Sequence, residues 1–232
     1  MNTAFVLGLV LVASATVGAS VDGVCEGNSE NCTPNYSSFA LVNASNKIDA
    51  DFAEYTSQLV DKSFYFLIMS SEFDKYHMDR PGFQKLYRKM SDKAWEDAID
   101  LMKYRSRRGV DGYLKQPDQP YDFAKKLSAM TELSSLQTAV EVEKSLATKA
   151  HLIHQKVSHD HFTKSGAEKI HYDPDTAHYL DEKIINYQSG VLRDLAGYVQ
   201  TLHKITKNGE VGKDQAEDLA LHLFDEYLEK SL

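Results

Sequence analysis

Apolar residues recur along most of the chain at spacings of three, four and seven, the period of helices that bury one face. Phe52, Tyr55, Leu59, Phe66, Met69 and Phe73 form the first such seam. They predict a helix over about residues 47–76, about 45 Å long at the α-helical rise. Arg80-Pro81-Gly82 interrupts the period, with proline suited to a first helical turn. A second helix then runs to about Arg107 and stops at Gly109 and Gly112. Residues 109–124 hold two glycines and two prolines without helical period. Such a segment is too long for a tight turn and predicts a crossover along the length of a bundle. The third helix, about Tyr121 to Val157, carries Leu127, Met130, Leu133, Leu136, Val140, Leu146, Leu152 and Ile153.

The stretch from His159 to Tyr172 is polar and irregular. Asp173-Pro174 then starts a fourth helix, an N-cap aspartate followed by proline at the first helical position. Its apolar residues are Tyr179, Leu180, Ile184, Val191, Leu195, Val199, Leu202 and Ile205. Gly190 and Gly197 share one face of it, where a neighbouring helix is expected to approach closely. After a loop over 206–213, a short amphipathic helix from Asp214 to Glu229 closes the chain. The predicted fold is all-α, a four-helix bundle with one long crossover and a short fifth C-terminal helix.

Composition agrees. Only 5 of 232 residues are proline and 12 glycine, too few turn residues for the many short strands of a sandwich or barrel. With 42% apolar and 26% charged residues the chain can bury a core. A net charge of −8 argues against a nucleic-acid partner and fits a protein that attracts cations.

The beginning of the chain sets an expected compartment. An apolar run from Ala4 to Ala13 is followed by small residues ending Val17-Gly18-Ala19. A run of this length is too short to cross about 30 Å of hydrocarbon. It suits a secretory signal over residues 1–19, although no Lys or Arg precedes it. No later stretch approaches the ~18 apolar residues of a membrane helix, so the mature chain is expected to be soluble. Cys25 and Cys32, the only two cysteines, lie just beyond and suit an oxidising compartment, closing a short loop or bridging to another chain. Asn31, Asn35 and Asn43 head Asn-x-Ser/Thr sequons. Residues 20–46 are therefore expected to form a glycan-bearing, disulfide-linked extension of a bundle domain over 47–232. The expected location is secreted or secretory, extracellular or in a vacuolar or Golgi lumen.

Metal centres in such bundles take carboxylates from two helices and Glu-x-x-His from the others. The chain holds only Glu168-Lys-Ile-His171, outside the helical period, and it reads as a chance match in a solvated loop. The middle of the second helix, from Asp92 through Glu96 and Asp97 to Asp100, has carboxylates but no histidine. Two readings stand for it, a solvated face or an acidic patch that gathers cations without redox chemistry.

Several short motifs carry a family resemblance. They are Leu101-Met102-Lys103 with Arg107-Arg108-Gly109, Glu143-Lys144, Asp173-Pro174, Thr201-Leu202-His203 and Leu223-Phe224-Asp225, in this order. Over about residues 47–230, apart from an insertion near 159–171, the chain resembles a ferritin subunit. The signal, the cysteines and the extension resemble the secreted, light-chain branch of insect-type ferritins.

The resemblance implies a ferritin-like bundle, a hollow cage of 24 subunits, iron stored as ferric mineral, and a heavy-chain partner that oxidises Fe²⁺ at a di-iron centre. Carried across, the ligand positions of that centre fall on Leu59, Ala94, Asp97, Glu143 and Gln188, and its neighbouring tyrosine on Phe66. The bridging carboxylates are missing, which is the light-chain pattern and implies that the chain is not a ferroxidase. Lys62 falls on the apolar seam one turn after Leu59. Either Lys62 or Lys93 reaches Glu143 or Asp97 and replaces metal by a salt bridge, or Lys62 snorkels outward.

The family's mineral-nucleating positions fall on Lys89, Asp92, Lys93 and Glu96, so Asp92, Glu96 and Asp100 are the carboxylates expected to meet mineral. Those of its ion channel fall on His178 and Asp181. Six of the nine histidines (His151, His154, His159, His161, His171, His178) cluster here, as solvated or packing side chains or as a secondary metal site. The expected function is that of a mineral-supporting light chain. The alternatives are a residually active di-iron oxidase using Glu143, Asp97 and Gln188, and a monomeric secreted bundle carrying a small hydrophobe.

Overall fold

The computed structural model describes residues 46–110, 113–115, 130–158, 161–162, 169–170, 173–207 and 215–232. The signal, the extension with Cys25, Cys32 and its three sequons, and Glu168 and His171 lie outside them. Among the described residues there are six α-helices: α1 (Asn46–Phe73), α2 (Pro81–Arg107), α3 (Glu132–Ser158), α4 (Pro174–Leu180), α5 (Asn186–Lys207) and α6 (Gln215–Ser231). Between α4 and α5, Asp181–Ile185 forms one π-helical stretch, so α4 and α5 together are the expected fourth helix. The polar stretch after α3 contains a two-residue antiparallel ladder, β1 (His161–Phe162) with β2 (Lys169–Ile170), where irregular chain was expected.

α1 packs along α2, α3 against α1 and α5, and α6 across α2. Four long helices and a short fifth make the predicted all-α bundle. Its core falls into two clusters. One gathers Tyr55, Leu59, Leu101, Leu146, Ile153 and Leu180. The other gathers Phe66, Met69, Phe73, Tyr87, Leu136 and Leu202, with Phe224 of α6 packed into it.

The helix ends show why the chain breaks where it does. Thr131 Oγ1 accepts from the Ser134 N–H at 3.2 Å, and Ser134 Oγ accepts from the Thr131 N–H at 2.8 Å. This reciprocal cap starts α3 at Glu132, with Met130 and Thr131 standing before the helix, and the earlier part of the expected third helix, residues 121–129, lies outside the described residues. At the end of α2, Gly109 has φ 76°, a left-handed position that ends the helix. Asp173 caps α4, its carboxylate accepting from the Thr176 N–H at 3.1 Å. Arg108 holds the same carboxylate at 2.7 Å. Burial raises the Asp173 carboxyl, and the hydrogen bonds from Arg108 and Thr176 outweigh it and bring it below the usual range.

The start of α2 is capped from far along the chain. Arg80 offers it no side-chain cap. Instead the buried Asp225 of α6 accepts the Phe83 N–H at 2.9 Å. The fit needs a glycine, because a Cβ on Gly82 would stand 2.0 Å from the Asp225 carbonyl oxygen. The other expected close approach is not found among the described residues: ideal Cβ atoms on Gly190 and Gly197 meet nothing within 4 Å there. The apolar seam of the fourth helix faces the core elsewhere, and these glycines lie off it.

Gly82→Ala is expected to destabilise the protein by about 1–3 kcal/mol through overpacking. Thermal unfolding measures this, and an unchanged midpoint would show that α6 shifts away without cost.

Candidate functional site

Midway along the bundle the apolar seam of α1 is interrupted by Lys62, which is buried. A charge there needs a partner, because desolvating it alone costs several kcal/mol, on the order of the whole stability of a domain. α3 supplies one. Lys62 Nζ lies 2.5 Å from Glu143 Oε1, with both side chains at most 5% exposed. The ammonium also stands 5.9 Å from the centroid of the Phe66 ring. The Lys62–Glu143 ion pair named as an expectation is therefore present, and the outward course for Lys62 is not taken.

Three further contacts complete this layer. Gln188 of α5 is buried and its Nε2 donates to the Tyr55 hydroxyl at 3.0 Å. On α2, Lys93 pairs with Asp97 one turn on. The Lys93 ammonium also sits 4.7 Å over the ring of Tyr187. Leu59 and Ala94 are buried beside these groups and offer no ligand atom.

The electrostatics follow from burial. Burial pushes the Asp97 carboxyl up, against the hydrogen bond and charge of Lys93 and the charge of Lys62. Burial, with the charges of Glu143, Asp97 and Glu96, pushes Tyr187 up to about 12. Tyr55 is pushed higher by burial, with the Gln188 hydrogen bond opposing and Glu143 and Asp97 adding to the rise. Both phenols therefore stay protonated at neutral pH. Each ammonium group of the layer stands against a carboxylate, Lys62 against Glu143 and Lys93 against Asp97.

The other expected site residues are spread over the surface. Asp92 is exposed and pairs with Arg88 at 3.1 Å. Glu96 is exposed on the same helix, and Asp100 pairs with Lys103 at 3.5 Å. Among the described residues no three His, Cys, Asp or Glu side chains come together in a way that could hold a metal ion. The six carboxylate and amide residues proposed as metal ligands (Asp92, Glu96, Asp97, Asp100, Glu143 and Gln188) therefore form no single cluster.

Around the π-helical stretch, His178 lies 3.5 Å from Glu182, and Asp181 lies 3.2 Å from His154 of α3. His151 is exposed on α3. Of the histidine group, His154 and His178 thus meet carboxylates, and His159 and His171 lie outside the described residues. Tyr55 and Tyr187 are the site residues that sequence reasoning missed. Tyr55 was hidden in the apolar seam, and a phenol on a buried face was the available signal, since a buried hydroxyl needs a partner.

A helical bundle with a long crossover, a short fifth helix and a polar layer at mid-height defines the ferritin-like class. No family model matches the chain. It is 34% identical over 224 residues to a ferritin light chain of Drosophila melanogaster, covering 95% of this chain and 87% of that one. It is 33% identical over 187 residues to a ferritin light chain of Trichoplusia ni, covering 80% and 76%. The crystal structure of Trichoplusia ni secreted ferritin superposes with a TM-score of 0.73 at 26% identity, over 88% of this chain and 92% of that one. The chain belongs to the ferritin family, and its likeness is to the insect type.

Replacing Lys62 by Met strands the Glu143 charge and is expected to cost about 3–5 kcal/mol, whereas Lys62→Met with Glu143→Leu recovers most of this. Denaturant unfolding of the three proteins measures the difference. A single replacement no worse than the double would show that the pair is not desolvated.

Proposed function

We propose that this chain is the light, non-ferroxidase subunit of a secreted iron-storage ferritin, assembled into a cage with heavy-type chains that carry out the oxidation of Fe²⁺. The observation that carries the reading is the buried Lys62–Glu143 ion pair. Of the positions that correspond to a di-iron centre, Leu59 and Ala94 lack ligand atoms, Glu143 is held by Lys62 and Asp97 by Lys93. Iron is cargo in this reading. Asp92, Glu96 and Asp100 remain exposed on α2, and the ion pairs of the first and last are weak enough at the surface to yield to ferric ions. His178 and Asp181 are the channel residues. The secreted relative supports export of this chain, with Cys25, Cys32 and the sequons at Asn31, Asn35 and Asn43 serving that compartment.

Two exposed apolar groups support assembly with further subunits. Phe64 and Trp95 meet edge to face at 6.3 Å, with Ile68 beside Phe64 on the exposed side of α1. Leu219, Leu223 and Tyr227 repeat every fourth residue along the exposed side of α6. A protein that leaves so much contiguous apolar surface bare is one that covers it with a partner.

Two measurements test these readings. The purified homopolymer is expected to oxidise Fe²⁺ no faster than buffer, with Glu143→Ala leaving the rate unchanged. Rapid oxidation abolished by Glu143→Ala would overturn the light-chain assignment. Trp95 is the only tryptophan, so its fluorescence is expected to move to shorter wavelength on assembly. Trp95→Glu is expected to give particles of lower mass by light scattering, and a wild-type monomer of 26.1 kDa would contradict the cage.

A further inference from the structure

A second feature lies outside the central layer and shares only Asp100 with the carboxylates expected to meet mineral. A cleft of about 790 Å³ opens between the C-terminal half of α2 and the π-helical stretch after α4. Its charge runs against that of the chain. Arg107, Lys103 and Lys183 line it against one carboxylate, Asp100, in a protein of net charge −8. Arg107 is exposed, and no described carboxylate lies within ion-pair reach of its guanidinium. Lys103 pairs with Asp100 at 3.5 Å and Lys183 with Glu182 at 3.2 Å, and all four side chains are more than half exposed. Pairs of that kind hold little energy and exchange readily for a stronger anion.

The rest of the cleft narrows what the anion is. Ser106 adds a hydroxyl beside Arg107. Ile99 and Met102 line an apolar side, and the ring of Tyr179 completes it. That ring is held in place by stacking on Tyr104, with centroids 4.1 Å apart and planes within 10°. Arg107 brings a planar fork matched to two oxygens of one tetrahedral anion, and a phosphate dianion is drawn by three cations more strongly than a carboxylate is.

We propose that this cleft binds a phosphate group, free or as the monoester of a planar aromatic molecule, with Arg107 as its principal ligand and Tyr179 as the surface for the aromatic part. The site is separate from the Lys62–Glu143 layer and does not depend on it.

Titration calorimetry on the iron-free full chain at constant ionic strength tests this, with inorganic phosphate and phenyl phosphate as the two probes. Saturable binding of at least one is expected. Arg107→Gln is expected to weaken it about tenfold or more. Arg193→Gln, whose guanidinium pairs with Asp194 on α5 away from the cleft, is expected to leave it unchanged. Phenyl phosphate binding more tightly than inorganic phosphate, with Tyr179→Leu removing the difference, assigns the monoester. Equal affinities assign the free anion. Absence of saturable binding by both probes, or equal losses in the Arg107 and Arg193 variants, overturns the proposal.

Discussion

The ion pair between Lys62 and Glu143 is the constraint around which the bundle is arranged. It splits the core. Tyr55, Leu59, Leu146 and Ile184 pack on one side of its level, and Phe66, Met69, Leu136 and Leu195 on the other. Neither charge can sit in that interior alone, so the turn of α1 that carries Lys62 must face the turn of α3 that carries Glu143. α5 joins the same level through Gln188 and Tyr55, and α2 through Lys93 over Tyr187. All four long helices are therefore keyed in register by one polar layer. The cations of this level are the Lys62 and Lys93 ammonium groups.

The end of the bundle that carries the crossover is tied by a second set of charges. Arg105 is fully buried and holds Asp49 of α1 at 3.0 Å, while its other nitrogen donates to the Tyr113 carbonyl at 2.9 Å. Tyr113 returns a hydrogen bond to Asp49 at 2.7 Å. Arg108 reaches across to Asp173 and Asp175 at 2.7 Å each, and its neighbour Tyr104 donates to Asp175 at 2.8 Å. The pair Arg107-Arg108 thus divides its work. Arg108 is consumed in anchoring α4, and Arg107, one residue earlier and a third of a turn away, faces open solvent.

Much of this was legible in the sequence because a buried helical face imposes its period on residue choice. The seam from Phe52 to Phe73, the break at Pro81 and the cap at Asp173 all rest on local rules that the fold obeys. The seam even contained its own exception, since Lys62 stood where only a paired charge is tolerated. What escaped notice depends on distant partners. The period of the third helix ran through Met130, and a Thr131–Ser134 cap two hydrogen bonds strong sets the start of α3 after it. The π-helical stretch at Asp181–Ile185 leaves no compositional mark, because DEKII suits an α-helix equally well. Gly190 and Gly197 carried a small-residue signature with no neighbour among the described residues to use it. The Tyr55–Gln188 bond joins residues 133 positions apart, beyond the reach of any periodicity.

The contact of Asp225 with Gly82 and Phe83 has a consequence for how the chain is made. The first N–H groups of α2 are satisfied by a carboxylate 142 positions later in the chain. Until that residue leaves the ribosome, α1 and α2 can pair as a hairpin, but the start of α2 stays open to water and Phe83 lacks the aromatic lid of Phe224, 5.8 Å away in the finished fold. A nascent chain is thereby kept incomplete at one end until α6 arrives. A chain cut before Asp225 loses this closure, and the start of α2 then stays open to water.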